Sequence, residues 1–303
     1  MKKVIYAFSI LLMFAMTSPV MAALNVFTCE PEWASLVNEI GGERVNTYSA
    51  TTAYQDPHHI EARPSLISKV RRADLLICSG AELEVGWLPL LQRQAGNKKV
   101  LSHARGYFEA ASMVELLDVY TEGELNRSMG DVHATGNPHV HLDPRRIQII
   151  AKALKTRLIE LDPEGQSYYQ EKLENFTQRW QKAIKQWQQQ ASKLKGTRIV
   201  VHHRDWVYLF DWLGIEIAGA LEPKPGLPTT VGHLVSLKES LKAKPASMIV
   251  YTAYQNSRAA KRFSQMANIP AVELPYTVGG AEQVTDLFSL FDVTIKQLTG
   301  NIK

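Results

Sequence analysis

The chain has 303 residues and a formal net charge of +4, with 34 Lys and Arg against 30 Asp and Glu. The basic residues are spread along the chain, so the charge offers no footing for nucleic acid. The length suits two ordinary domains.

Residues 1–22 read as a signal peptide. Lys2 and Lys3 supply a positive start, Val4 to Met16 is a short apolar run, and Val20-Met21-Ala22 precedes a cleavage point at Ala23. The rival reading, a membrane anchor, suffers from the shortness of the run. No later segment approaches about 18 consecutive apolar residues, so the mature chain is expected to be soluble. Cys29 does not directly follow a small-residue cleavage site, so no lipid anchor is expected.

Strand and helix then alternate. Leu24–Cys29, Arg44–Ala50 and Ala73–Ser79 read as strands; Pro31–Ile40 and Pro64–Arg72 read as helices, each with Pro in its first turn. A helix opens at Asp143 or Pro144 and runs to about Leu161. From Pro163 to about Leu194 the spacing predicts one long helix, with Tyr168, Leu173, Phe176, Trp180, Ile184 and Trp187 at three- and four-residue steps. Alternation then resumes: strands Thr197–His202, Ile215–Ala220, Met248–Tyr251 and Ala271–Leu274, and helices Val207–Trp212, Thr230–Ala243, Gln255–Met266 and Ala281–Leu298. Such a pattern predicts α/β lobes with parallel sheets. The expected division is a first lobe over 23–162, a linking helix over 163–195 and a second lobe over 196–303. The segment Gly41–Gly80 is echoed faintly by Gly214–Thr252, which suggests that the two lobes are similar.

Cys29 and Cys78 each end a predicted strand. In an exported chain an even count favours a disulfide over a metal pair. The histidines are clustered: His58 and His59 before the Pro64 helix, His139 and His141 in Asn137-Pro138-His139-Val140-His141-Leu142-Asp143-Pro144, and His202 and His203 at a strand end. Loops at strand ends are where α/β sheets hold ligands, and imidazole suits zinc.

These segments resemble the cluster A-I (cluster 9) metal-binding receptors of bacterial ABC importers, the zinc and manganese group, over essentially the whole mature chain. The resemblance implies two lobes joined by one long helix, with the metal in the cleft between them. It implies His58 as a ligand six residues before Pro64, with His59 its neighbour, and His139 as a ligand in the second motif. His141 stands where an aromatic is usual, which makes it an additional candidate donor. It implies His203 as a ligand eleven residues before Gly214, with Trp206 and Tyr208 in aromatic places. It implies Asp286, in Thr285-Asp286-Leu287-Phe288, as the fourth ligand; an acid favoured by the helix dipole is the rival reading. The short loop over 122–137 holds Glu122, Glu124, Asp131 and His133; His133 reads first as part of a solvated polar loop and second as a further candidate donor. The Pro-rich loop carrying Glu222 reads as structural, with the orienting of a ligand histidine by Glu222 as the alternative. His103 and His233 read as surface residues.

The expected function is therefore capture of Zn2+ in the periplasm and its delivery to an inner-membrane ABC permease. A periplasmic metallochaperone is a second candidate partner, and the protein is expected to be a monomer. A manganese or iron receptor of the same fold is the first alternative; a secreted zinc hydrolase or an adhesin follows. The chain lacks the His-Glu-x-x-His signature that a hydrolase of that type uses, so no enzyme activity is expected.

Overall fold

The computed structural model describes residues 23–120 and 133–302. The expected signal peptide, and Glu122, Glu124 and Asp131, lie outside them. Among the described residues no helix is long and apolar enough to cross a membrane.

Two α/β lobes are present. In the first, strands β1 (Leu24–Thr28), β2 (Val45–Ser49), β3 (Leu75–Cys78) and β4 (Tyr107–Glu109) form a parallel sheet in the order β2-β1-β3-β4. Helices α1 (Pro31–Gly41), α2 (Pro64–Arg72) and α3 (Leu88–Ala95) accompany it. The second lobe repeats the order with β5 (Arg198–Val201), β6 (Glu216–Ala220), β7 (Met248–Tyr251) and β8 (Ala271–Glu273), arranged β6-β5-β7-β8 and again parallel. Its helices are α6 (Val207–Leu213), α7 (Val231–Ser240), α8 (Ser257–Ala267) and α9 (Leu287–Gly300). The strands β3 and β7 are continuous apolar runs, Leu-Leu-Ile-Cys and Met-Ile-Val-Tyr, buried throughout. A sheet covered on both faces produces this continuous pattern.

Between the lobes run α4 (Pro144–Leu161) and α5 (Gln166–Gln190). The predicted single helix from Pro163 is three pieces: a 3-10 turn over Pro163–Gly165, α5, and a 3-10 turn over Ala191–Leu194. Asp162 explains the break at the start, because its carboxylate is held by Arg44 through two hydrogen bonds of 2.7 and 2.8 Å and by the Tyr169 hydroxyl at 2.6 Å. At 25 residues α5 is about 37 Å long. It packs on α1 and α4 on one side and on α9 on the other. Tyr169, Phe176, Trp180 and Trp187 make its buried stripe. Trp180 meets Phe176, Trp187, Phe288 and Phe291 with ring centroids 4.8–5.7 Å apart, and its indole N–H donates to the Pro144 carbonyl at 2.8 Å. One apolar core thus runs through both lobes, from Val26 and Leu75 to Met248 and Phe291.

Cys29 and Cys78 are joined by a disulfide. Cys29 follows β1 and Cys78 ends β3, and these strands are neighbours in register with Thr28 opposite Ile77, so the pairing follows directly from the sheet order. Helix α3 and strand β4 have no counterpart in the sequence reading. The first is short, though Pro89 near its start and Gly96 just past its end, in the left-handed region at φ 64°, are the punctuation such a helix leaves. The second, at three residues, is too short to show a period.

Candidate metal centre

Every strand of the second sheet ends beside the cleft. After β5 come His203 and Asp205, after β6 Glu222, after β7 Tyr254 and Gln255, and after β8 Tyr276 and Thr277. The first lobe adds the loop after β2, carrying Asp56 and His58, and the turn ahead of α4, carrying His139 and His141. The His58 loop is pinned from below by the Trp87 indole, which donates to the Pro57 carbonyl at 2.9 Å. The His139 turn is pinned by Asn137, whose side chain accepts from the His139 amide at 3.0 Å and donates to the Arg204 carbonyl of the other lobe at 2.9 Å.

His58, His139 and His203 meet across the cleft. Their ring centroids stand 5.5–5.8 Å apart, and one nitrogen of each lies within 4.8 Å of the other two. All three are nearly withdrawn from solvent. Each has a partner at Nδ1: Asp56 Oδ1 at 2.8 Å from His58, the Tyr276 hydroxyl at 2.8 Å from His139, and Glu222 Oε2 at 2.7 Å from His203. A carboxylate can only accept, so the Nδ1 of His58 and of His203 carries the proton and Nε2 is left to face inward. Partners of this kind fix the ring and raise its basicity as a ligand. An ion about 2.1 Å from each nitrogen needs the donors roughly 3.4 Å apart, so the residues fit a zinc-sized cation after a modest contraction. A cavity of about 220 Å³ lies against His58 and His203, lined also by His202 and Tyr254.

The electrostatics divide the ligand set. Burial, reinforced by the neighbouring His58 and His203, holds His139 well below the usual imidazole range. Burial works against charge on His203 as well, but the carboxylates of Asp205 and Glu222 outweigh it and lift this imidazole to about 9. Burial also opposes charge on Asp56, and contact with His58 overcomes it, pulling the carboxyl down to about 2.

The other predicted residues fall in different places. His133 reaches the cluster: its Nε2 is 3.3 Å from that of His58, and burial with the adjoining histidines depresses it to about 3. His59 points to solvent, two-thirds exposed, with Nδ1 3.4 Å from Asp56. His141 is turned away. Its Nε2 lies 3.0 Å from the Tyr276 carbonyl, and its Nδ1 stands 3.2 Å from Glu32 without a hydrogen bond to it, all of it buried. His202 is nine-tenths buried with Nε2 3.9 Å from Glu222. His103 is exposed, whereas His233 is half-buried and lies 2.9 Å from the Ala220 carbonyl.

Asp286 requires a correction. It is the N-cap of α9, accepting from the Ser289 amide at 2.7 Å in a reciprocal capping box. It lines a separate cleft of about 420 Å³ with Ser35, Asn38, Glu39 and Arg179. An acid at a helix start satisfies orphan N–H groups, and that demand placed it there. Beside His139 stands the carboxylate of Asp205, fully buried, with Oδ1 3.7 Å from Nε2. Its signal in the sequence was its position two residues after His203. Tyr276 carried no local signal, because its partners come from the other lobe.

Comparison with known proteins agrees with this architecture. The family described as "Zinc-uptake complex component A periplasmic" matches residues 26–300. The manganese ABC transporter substrate-binding lipoprotein PsaA of Streptococcus anginosus is 25% identical over 252 residues, covering 82% of this chain and 79% of that one. Among solved structures, ZnuA superposes with a TM-score of 0.77 at 18% identity, covering 93% of this chain and 100% of that one. The substrate-binding protein FpvC of Pseudomonas aeruginosa, in complex with Mn2+, gives 0.76 at 18% identity, covering 92% and 98%.

Proposed function

The chain belongs to this family of metal-binding receptors for ABC importers, and from that premise we propose that its cargo is Zn2+, bound by His58, His139 and His203 with His133 at hand as a further imidazole. Substrate-binding components of this kind work with a membrane permease and its ATPase and are not enzymes. Capture takes place in the periplasm.

The observation that carries the zinc reading is the donor set. Three imidazoles converge, each held at Nδ1 with Nε2 inward. Nitrogen-rich sites suit zinc, while manganese prefers more carboxylate oxygen. Relatives named for manganese and for zinc both occur, so a manganese receptor is the second reading, favoured by the carboxylates around the cluster.

The residues act as follows. His58 and His139 offer two donors from the first lobe, and His203 offers one from the second. Asp56, Tyr276 and Glu222 orient the three rings. The ion holds the lobes together, and docking on the permease separates them.

The test is the metal content of protein purified from the periplasm without added metal, by elemental mass spectrometry, beside a His58→Ala, His203→Ala double variant. About one zinc per chain, lost in the variant, is the expected result. Manganese in its place would overturn the choice of ion, and equal metal in both proteins would overturn the site.

A further inference from the structure

Three imidazoles bring no negative charge to a dication that is to be buried between them. Asp56 and Glu222 bond the outward Nδ1 atoms of His58 and His203. They therefore lie behind the rings, on the side away from the inward nitrogens. Asp205 is placed differently. Its Oδ1 faces the Nε2 of His139 at 3.7 Å, on the side opposite the Tyr276 hydroxyl at Nδ1. Two donors that share one ion at about 2.1 Å each can be no more than roughly 4.2 Å apart, so this pair qualifies.

Asp205 is also held for such a task. It sits in the turn Arg204–Trp206 directly after His203. The Tyr254 hydroxyl donates to Oδ1 and the Gln255 amide to Oδ2, both at 2.9 Å. Each carboxylate oxygen has a second lone pair, so both bonds can persist while Oδ1 takes a cation. The side chain is fully buried, and among the described residues no Lys or Arg pairs with it. Buried charges are paired or coordinate metals, and a dication held at His139 Nε2 would lie within reach of Oδ1.

We propose that the carboxylate of Asp205, and not that of Asp286, is the acidic ligand of the transported ion, closing the set made by His58, His139 and His203. This rests on the metal-receptor reading above. It places the charge-neutralising donor on the same turn as His203, so the second lobe contributes an imidazole and a carboxylate from one rigid corner. It also makes Asp205 the residue through which the site tunes its preference between softer and harder dications.

An Asp205→Cys variant loaded with Co2+ tests ligation directly. The two native cysteines are locked in the disulfide, so the new thiol is the single thiolate able to reach the ion. A thiolate-to-cobalt charge-transfer band in the near ultraviolet, absent from the unaltered protein, is expected. Its absence from a variant that still binds one Co2+ would overturn the proposal. An Asp205→Asn variant keeps an acceptor for Tyr254 and guards against a folding failure of the cysteine variant. Its Zn2+ affinity, by chelator competition, should fall by about 100-fold or more, and its Co2+ visible spectrum should change in intensity. Affinity within threefold of the parent, with an unaltered spectrum, would leave Asp205 a purely structural residue. Asp286→Ala should leave affinity unchanged. A His203→Ala control separates the two levels: if it binds zinc like the parent, the metal site itself is misassigned, whereas a loss there with none in Asp205→Asn removes the present proposal alone.

Discussion

The Tyr276 hydroxyl, from the second lobe, stands 2.8 Å from Nδ1 of His139, from the first. Both groups are buried, and the same tyrosine's carbonyl lies 3.0 Å from His141 Nε2. One residue thus seats the whole second histidine motif from across the cleft. Replacing Tyr276 by Phe removes the polar partner of His139 and keeps the ring. Zinc affinity should fall by about 10- to 100-fold with the fold intact. Competition titration against a chelator, with circular dichroism of the metal-free variant, checks this.

The histidines should differ in weight. His139 is buried within the three-imidazole core, while His133 adjoins it through His58. Replacing His139 by Ala should weaken zinc binding far more than replacing His133 by Ala. Equal losses, measured by the same titration, would refute the distinction.

Zinc binding should be coupled to one proton. With its imidazole lifted to about 9, metal-free His203 is charged at neutral pH. His139 and His133, both depressed, are uncharged there. The ion must therefore displace a proton from His203. A group charged below its pKa competes with metal below that pKa, so affinity should rise about tenfold per pH unit between roughly 7 and 9 and level off above. Calorimetry at pH 7.5 in buffers of different ionisation enthalpy should report about one proton released per zinc, and a Glu222→Gln variant should release less.

Trp180 packs α5 against α9 through Phe288 and Phe291. Its ring is fully buried among Phe176, Trp187, Phe288 and Phe291. Trp180→Ala should cost about 3–5 kcal/mol of stability through lost contacts and the cavity left behind. Urea unfolding of the metal-free protein measures it.

The paired α/β lobes were legible because each repeats strand, loop, helix, strand with apolar runs and Pro or Gly at the joints. The three central histidines were legible because each ends a strand or precedes a helix in a recognisable motif. What escaped depends on the other lobe. Asp286 and Asp205 are the same letter near helical turns; nothing local says that one caps α9 while the other is folded inward beside His139. His141 looked like a donor, yet the Tyr276 carbonyl takes its Nε2 and Glu32 stands beside its Nδ1, and neither is near it in sequence. The start of the long helix escaped because Arg44, from the first lobe, draws Asp162 into a turn.

Helix α5 packs against α1 and α4 in one direction and α9 in the other, with its aromatic stripe sealed in a core common to both lobes. The two half-sites are therefore tethered by a stiff spacer. On the proposed ligand set, an ion that has met the imidazoles of the first lobe would meet His203 not from dilute solution but at a high effective concentration set by that spacer. Chelation of this sort is strong yet fragile to geometry. A displacement of an ångström or two at the cleft removes the third donor and with it most of the avidity, so a partner can unload the ion by a small tilt rather than by opening the molecule wide.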